Sequence, residues 1–197
     1  GAGGSASNLV VTNSTFENIG RIGILVKGDD STANISGITY TGKGAGDWLD
    51  YGVEFGAGGT GTVSNSTITG ALGIASTDGS TSAGIQVTSF YGPGTQATIE
   101  NNKITDNWAA VDVGYDNTDT SVVHAFGNNL SGNTHGVELE SALATADFRG
   151  NYWGTADDVA ILGMMTGGSA GSVDFSTYLT KGTDTSSSAG FQGDFSN

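Results

Sequence analysis

Cysteine is absent, and proline occurs once in 197 residues. No disulfide staples this chain and no thiol chemistry is open to it, so its stability has to come from a regular core. Basic residues are scarce as well: six Lys and Arg stand against 20 Asp and Glu, a formal net charge of −14. Nucleic acid and anionic membrane surfaces require clustered Lys and Arg, so both are excluded as partners. No apolar run is long enough to span a bilayer, and no membrane insertion is expected. No signal peptide is read at the start; export would require one that has been removed or that lies outside this piece. The acidity suits an extracellular or saline setting and also serves plain solubility.

What the chain has in abundance is glycine, 34 residues of it, without the period of three that a collagen helix needs. It also repeats a short phrase: an apolar residue, a polar one, Asn or Gly, two small or polar residues, then a large apolar one. The phrase stands at Val11–Phe16 and Val63–Ile68, with looser copies at Ile35–Tyr40, Ile99–Ile104, Ala125–Leu130 and Phe148–Trp153. A companion phrase of a small residue, then apolar, any, apolar, recurs as Gly23–Val26, Gly52–Phe55, Gly84–Val87, Ala110–Val113 and Gly136–Leu139. Each unit therefore reads as two short alternating strands separated by Gly/Asn turns.

Successive copies of the first phrase begin 24, 28, 36, 26 and 23 residues apart. A period in the twenties, stretched where loops are inserted, predicts a solenoid. Strict alternation and frequent Gly and Asn exclude a helical one. Parallel strands stacked about 4.8 Å apart then bury one another's inward face. Val11, Ile35, Val63, Ile99, Ala125 and Phe148 should form one inward stack, and Phe16, Tyr40, Ile68, Ile104, Leu130 and Trp153 another. Asn13, Asn65 and Asn101 should lie over one another at a left-handed bend and bond to the next coil's amide, with Gly37, Gly127 and Gly150 taking the same backbone. The longer spacings place insertions at Lys43–Asp50 and Ala71–Ser82, with a third loop at Ser89–Gly94; insertions of this kind often gather on a binding face.

From Gly150 the pattern changes. A turn into a short helix reaching Met164, capped by Asp157 or a neighbour, is followed by an apolar segment at Ser172–Leu179. That reads as the terminal cap a solenoid needs. The domain is expected to span residues 1–180, with the cap over about 150–180. Residues 181–197, rich in Ser, Gly, Thr and Asp, read as a flexible tail or linker.

At these residues the chain resembles a known group. The coil phrases, the closing Gly150–Gly154 and the run Val173–Leu179 resemble the right-handed parallel β-helix repeats of pectate-lyase-like proteins, found in many bacterial and archaeal surface proteins. The resemblance covers roughly residues 8–180. It implies an all-β, right-handed parallel β-helix of about six coils, with a C-terminal cap containing a short helix. It does not choose among functions, because that superfamily holds polysaccharide lyases, hydrolases, epimerases and non-enzymatic surface modules.

The residues that carry chemistry lie between the apolar positions of the companion phrase: Leu25, Glu54, Gln86, Asp112 and Glu138 should all point outward in line, with Glu140 two positions further on. Stacking puts Asp112 and Glu138 about 5 Å apart. Two carboxylates that close either raise one pKa or attract a cation. Glu54, Asp112, Glu138 and Glu140 are therefore candidate Ca²⁺ ligands, as the resemblance to Ca²⁺-using lyases also implies; a solvated acidic face is the alternative. A lyase or epimerase needs a basic residue beside the uronate, and Arg21, Lys27, Lys43, Lys103, Arg149 and Lys181 are scattered. Glycoside hydrolysis needs two carboxyls about 5–9.5 Å apart, which Asp112 with Glu138 or Glu140 meets, as do many pairs on an acidic surface. His124 and His135 read as structural surface residues. Trp48, Trp108 and Tyr91 fall in loops or turns, where they either pack the loop or stack on sugars.

These readings lead to a non-catalytic extracellular module, structural or adhesive, of a larger surface protein or a fibre assembled head to tail. The alternative is a carbohydrate-active or glycan-binding domain. No catalytic residue is assigned, and the partners expected are stacked coils or subunits and a polysaccharide.

Overall fold

A computed structural model describes residues 7–193. The small-residue start, Gly1–Ala6, and the last four residues of the expected tail lie outside the described residues. The first coil is β1 (Ser7–Thr12), β2 (Thr15–Glu17) and β3 (Ile22–Lys27); the second is β4 (Ser31–Ser36), β5 (Thr39–Gly44) and β6 (Tyr51–Gly56). The third is β7 (Thr60–Ser64), β8 (Thr67–Ala71) and β9 (Ala83–Thr88), and the fourth is β10 (Gln96–Glu100), β11 (Lys103–Thr105) and β12 (Ala109–Val113). The fifth has β13 (Val122–Phe126) and β14 (His135–Leu139), with a bridge at Asn129 in the middle position. The sixth has β15 (Thr145–Asp147), β16 (Asn151–Tyr152), the helix α1 (Asp158–Leu162) and β17 (Met165–Thr166). A 3₁₀ turn at Ala170–Ser172 leads to β18 (Tyr178–Leu179), which pairs with β16 and starts another coil.

Every ladder between coils is parallel, and three sheets form the walls. The first runs β1-β4-β7-β10-β13-β15, the second β2-β5-β8-β11, and the third β3-β6-β9-β12-β14-β17. Both inward stacks stand as the spacing predicts. Val11, Ile35, Val63, Ile99 and Ala125 are register partners along the first sheet, and Phe16, Tyr40, Ile68 and Ile104 along the second. Phe148, Leu130 and Trp153 extend these stacks as fully buried side chains. Large residues in the second stack explain the small ones that open the companion phrase. A Cβ on Gly84 would sit 2.6 Å from the Ile104 Cγ2, and one on Gly136 would sit 2.6 Å from the Trp153 ring.

The bend between the first and second sheets is left-handed in all six coils, with φ of 48°, 49° and 56° at Asn13, Asn65 and Asn101, and 67°, 65° and 74° at Gly37, Gly127 and Gly150. The hydrogen-bonding ladder is displaced from its expected place by one residue. The amides of Ser66, Asn102 and Asn128 donate to the side-chain oxygens of Asn102, Asn128 and Asn151, at 2.9–3.0 Å. The left-handed residue turns its own side chain out of the bend, and the residue after it points inward, where the next coil's amide is in reach. Asn107 and Asn133 form a shorter second ladder at the following corner.

The cap is as expected in kind. Asp157 caps α1 by accepting from the Ala160 amide at 2.9 Å, and Ile161 is buried against the open end of the core. The stretch expected to be a flexible tail is seated through residue 193. Phe191 is only 3% exposed, its amide donates to the Asn101 carbonyl at 2.9 Å, and Gln192 Nε2 donates to Asn65 Oδ1 at 3.3 Å. One aromatic residue in a polar stretch finds a hydrophobic seat beside Tyr152 and Leu179 at the left-handed bend.

Candidate functional site

The third sheet aligns the outward residues of the companion phrase. Leu25, Glu54, Gln86, Asp112, Glu138 and Thr166 are register partners in succession. The row faces away from the core but not, as expected, into open solvent. Leu25 is exposed, whereas Glu54, Gln86 and Asp112 are 6%, 7% and 6% exposed and Glu138 is half-buried. The cover comes from the insertions. Asp47 in the first accepts from the amide and hydroxyl of Ser76 in the second, at 2.7 and 2.6 Å, which ties the two loops together. The second loop then crosses the sheet face: the Thr81 hydroxyl donates to Glu138 Oε2 at 2.7 Å, and the Tyr51 hydroxyl donates to the Thr81 carbonyl at 2.9 Å. At the root of the first loop the buried Tyr40 hydroxyl donates to Asp50, which also accepts from the Lys43 amide at 2.7 Å.

The other wall is aromatic. Phe90 in the third loop contacts Tyr91 and, from the next coil, Tyr115, with ring centroids 4.9 and 4.4 Å apart. All three are at least half exposed. Asp119 pins this wall by accepting from the Thr88 hydroxyl and the Ser89 amide, both at 2.8 Å. Between the walls lies a cleft of about 360 Å³ whose floor is Glu54, Gln86, Asp112, Glu138 and Glu140. A second cavity of about 420 Å³ continues it past Arg21 and Asp78 to Trp48.

The floor is chemically uneven. Burial raises the Glu54 carboxyl above the usual range, while Arg21 and Lys27 pull it back. Burial also raises Asp112, and the charges of Glu138, Glu140 and Asp119 push it further, against one stabilising hydrogen bond from Gln86 Nε2 at 2.9 Å. Glu138 is raised by burial and by Glu140, with Thr81 opposing. Asp112 Oδ1 is buried with no hydrogen-bond partner. The floor thus presents carboxyl oxygens as hydrogen-bond acceptors beside the Gln86 amide.

Glu54, Asp112, Glu138 and Glu140, the expected Ca²⁺ ligands, share this floor as a line rather than a shell. Gln86 stands between Glu54 and Asp112, and Thr81 occupies one Glu138 oxygen. Among the described residues, no three His, Asp or Glu side chains converge to hold a metal ion. His135 packs against Trp108 with centroids 4.5 Å apart, and His124 lies 3.4 Å from Asp147 on the first sheet, so neither histidine belongs to the cleft. Of the three loop or turn aromatics, Tyr91 and Trp48 line the cavities and Trp108 does not. Arg21, Tyr51, Phe90, Thr81 and Tyr115 also line the cleft, and the repeat pattern alone does not mark them as site residues. The available signal was Phe90 and Tyr115, which both follow a companion strand and so fall at the same corner of adjacent coils.

A three-walled parallel solenoid with loops roofing one wall is a β-helix scaffold carrying a cleft. The family comparison agrees: the model of the right-handed β-helix region matches residues 3–152, and the chain belongs to that family. No curated protein and no solved structure matches the chain.

Proposed function

We propose that the chain is a non-catalytic, extracellular β-helix module that binds glycans in the roofed cleft on its third sheet. The observation that carries this reading is the pairing of exposed aromatic faces, Phe90, Tyr91 and Tyr115, with a floor of hydrogen-bonding carboxyls and Gln86. Aromatic faces stack on the apolar faces of sugar rings, and the carboxyls engage hydroxyls. The cleft's size is within the range of small-ligand sites. The net charge of −14 supports an extracellular or saline setting. Among the described residues strand β1 pairs on one side only, with Val10 62% exposed, and that edge suits end-to-end stacking on another β-helix. Light scattering across a concentration series tests the stacking; a constant monomer mass would sink it.

Calorimetric titration with a panel of oligosaccharides tests the glycan reading. Saturable one-to-one binding that weakens on Tyr91→Ala is expected, and heat-silent titrations across neutral, amino and acidic sugars would overturn it. One observation favours a second reading, glycoside hydrolysis. Burial and the neighbouring carboxylates raise the Asp112 carboxyl, the direction a general acid requires, and Glu138 lies one rung away as the partner carboxyl. New reducing ends from any oligosaccharide, lost on Asp112→Asn, would establish that reading in place of a purely binding one.

A further inference from the structure

The cleft is electrically polarised along its length. At one end Glu54 is faced by Arg21 and Lys27. Each cation also lies over one side of a ring: Lys27 Nζ is 4.1 Å from the Tyr91 centroid, and the Arg21 guanidinium 5.9 Å from that of Tyr51. At the other end no cation among the described residues acts on Asp112 or Glu138. The groups acting on Asp112 are Gln86, Glu138, Glu140 and Asp119, and those acting on Glu138 are Thr81 and Glu140. Asp112, only 6% exposed, lines the cleft here, and its Oδ1 is without a hydrogen-bond partner. A buried acceptor left unmatched costs free energy that a ligand donor would recover.

We propose that the Asp112–Glu138 end of the cleft receives the ammonium group of an amino sugar. The inference rests on the glycan reading and names its substrate class. A uronic acid would bring a further carboxylate against Asp112, Glu138 and Glu140, at a cost that grows in a partly desolvated site. A neutral sugar hydroxyl would meet Asp112 Oδ1 but leave the uncompensated charge in place. A protonated amine supplies three donors and the missing positive charge on one atom. It needs no converging shell of oxygens, which a divalent metal would. The sugar ring that carries it then lies between the floor and the exposed faces of Phe90 and Tyr115.

Titration of the intact chain near neutral pH with four probes tests this: a glucosamine tetramer, its N-acetylated counterpart, a galacturonate tetramer and tetralysine. The glucosamine tetramer should bind one to one and at least about tenfold more tightly than the acetylated one. The uronate should be weakest, and tetralysine, which shares the charge without the rings, should not match it. Asp112→Asn and, separately, the less buried Glu140→Gln should each shrink the amine preference, with circular dichroism confirming the fold. Binding of the acetylated tetramer as tightly as the free amine, or equal binding of tetralysine, overturns the inference while the glycan reading stands. Failure of every sugar overturns both.

Discussion

Two polar rows climb this solenoid at one residue per coil, and they are built to opposite ends. At the left-handed bend, Asn102, Asn128 and Asn151 are fully buried and fully used. The Asn128 side chain alone accepts from the amide and side chain of Asn102 and donates to Ile99, Phe126 and Asn151. On the third sheet, Asp112 takes one hydrogen bond from Gln86, is opposed by the charges of Glu138, Glu140 and Asp119, and keeps Oδ1 unmatched. A satisfied polar row holds coils in register and has nothing left for a ligand. A row held short of satisfaction is where a ligand finds free energy. Polar residues at matching places in a repeat are thus told apart by hydrogen-bond accounting, not by residue type.

The largest expected effect is on the satisfied row. Asn128→Ala strands several buried partners at once and should cost about 3–5 kcal/mol. That corresponds to a melting temperature lower by roughly 10 °C for a domain of this size. A loss below about 1 kcal/mol would show that the ladder does not hold the coils.

The unsatisfied row should respond with the opposite sign. Asp112 and Glu138 have raised folded-state pKa values, so the folded chain holds their protons more tightly than the unfolded chain does. Their contribution is most favourable below about pH 4 and declines as pH rises from there. Asp112→Asn should therefore stabilise the protein by about 1 kcal/mol near pH 8 and leave it unchanged near or below pH 4. Melting curves across that window check it, and a destabilised variant at pH 8 would contradict the unmatched-charge account.

A carboxyl outside both rows supplies the reverse pH dependence on a smaller scale. Arg149 grips Asp147 through two contacts of 2.8 Å and holds its pKa down to about 2. That stability is present above about pH 4 and is lost as pH falls toward 2. The pair is largely exposed, so Asp147→Asn should cost no more than about 0.5 kcal/mol at neutral pH and nothing near pH 2. The smallest stability change is expected at the aromatic wall. Tyr91 is 58% exposed, so Tyr91→Ala should leave the melting temperature nearly unchanged while weakening glycan binding.

The parts legible beforehand were those that depend on neighbouring coils alone. Ile68 reads as buried because it alternates, and Tyr40 and Ile104 recur one coil away on either side. Asn65 and Gly37 read as left-handed because few other residues tolerate that backbone. The outward line from Leu25 to Glu138 followed from the same period. The roof over that line did not. Nothing local to Thr81 says that it reaches Glu138, 57 residues on, and nothing in Ser186–Asn197 marks Phe191 for burial.

The sequence by itself determined a parallel solenoid of six coils, its two apolar stacks, its left-handed bends and a terminal cap. It could do so because a coil's contacts repeat at a short period, and an alternating pattern is sufficient to register them. Tertiary structure alone decided which wall the inserted loops would cover, and hence that Glu54, Asp112 and Glu138 form the floor of a cleft instead of a solvated stripe. The physical reason is desolvation. Whether a carboxylate is a solvated surface charge or a desolvated one depends on what lies above it, and here loops from other coils supply that cover.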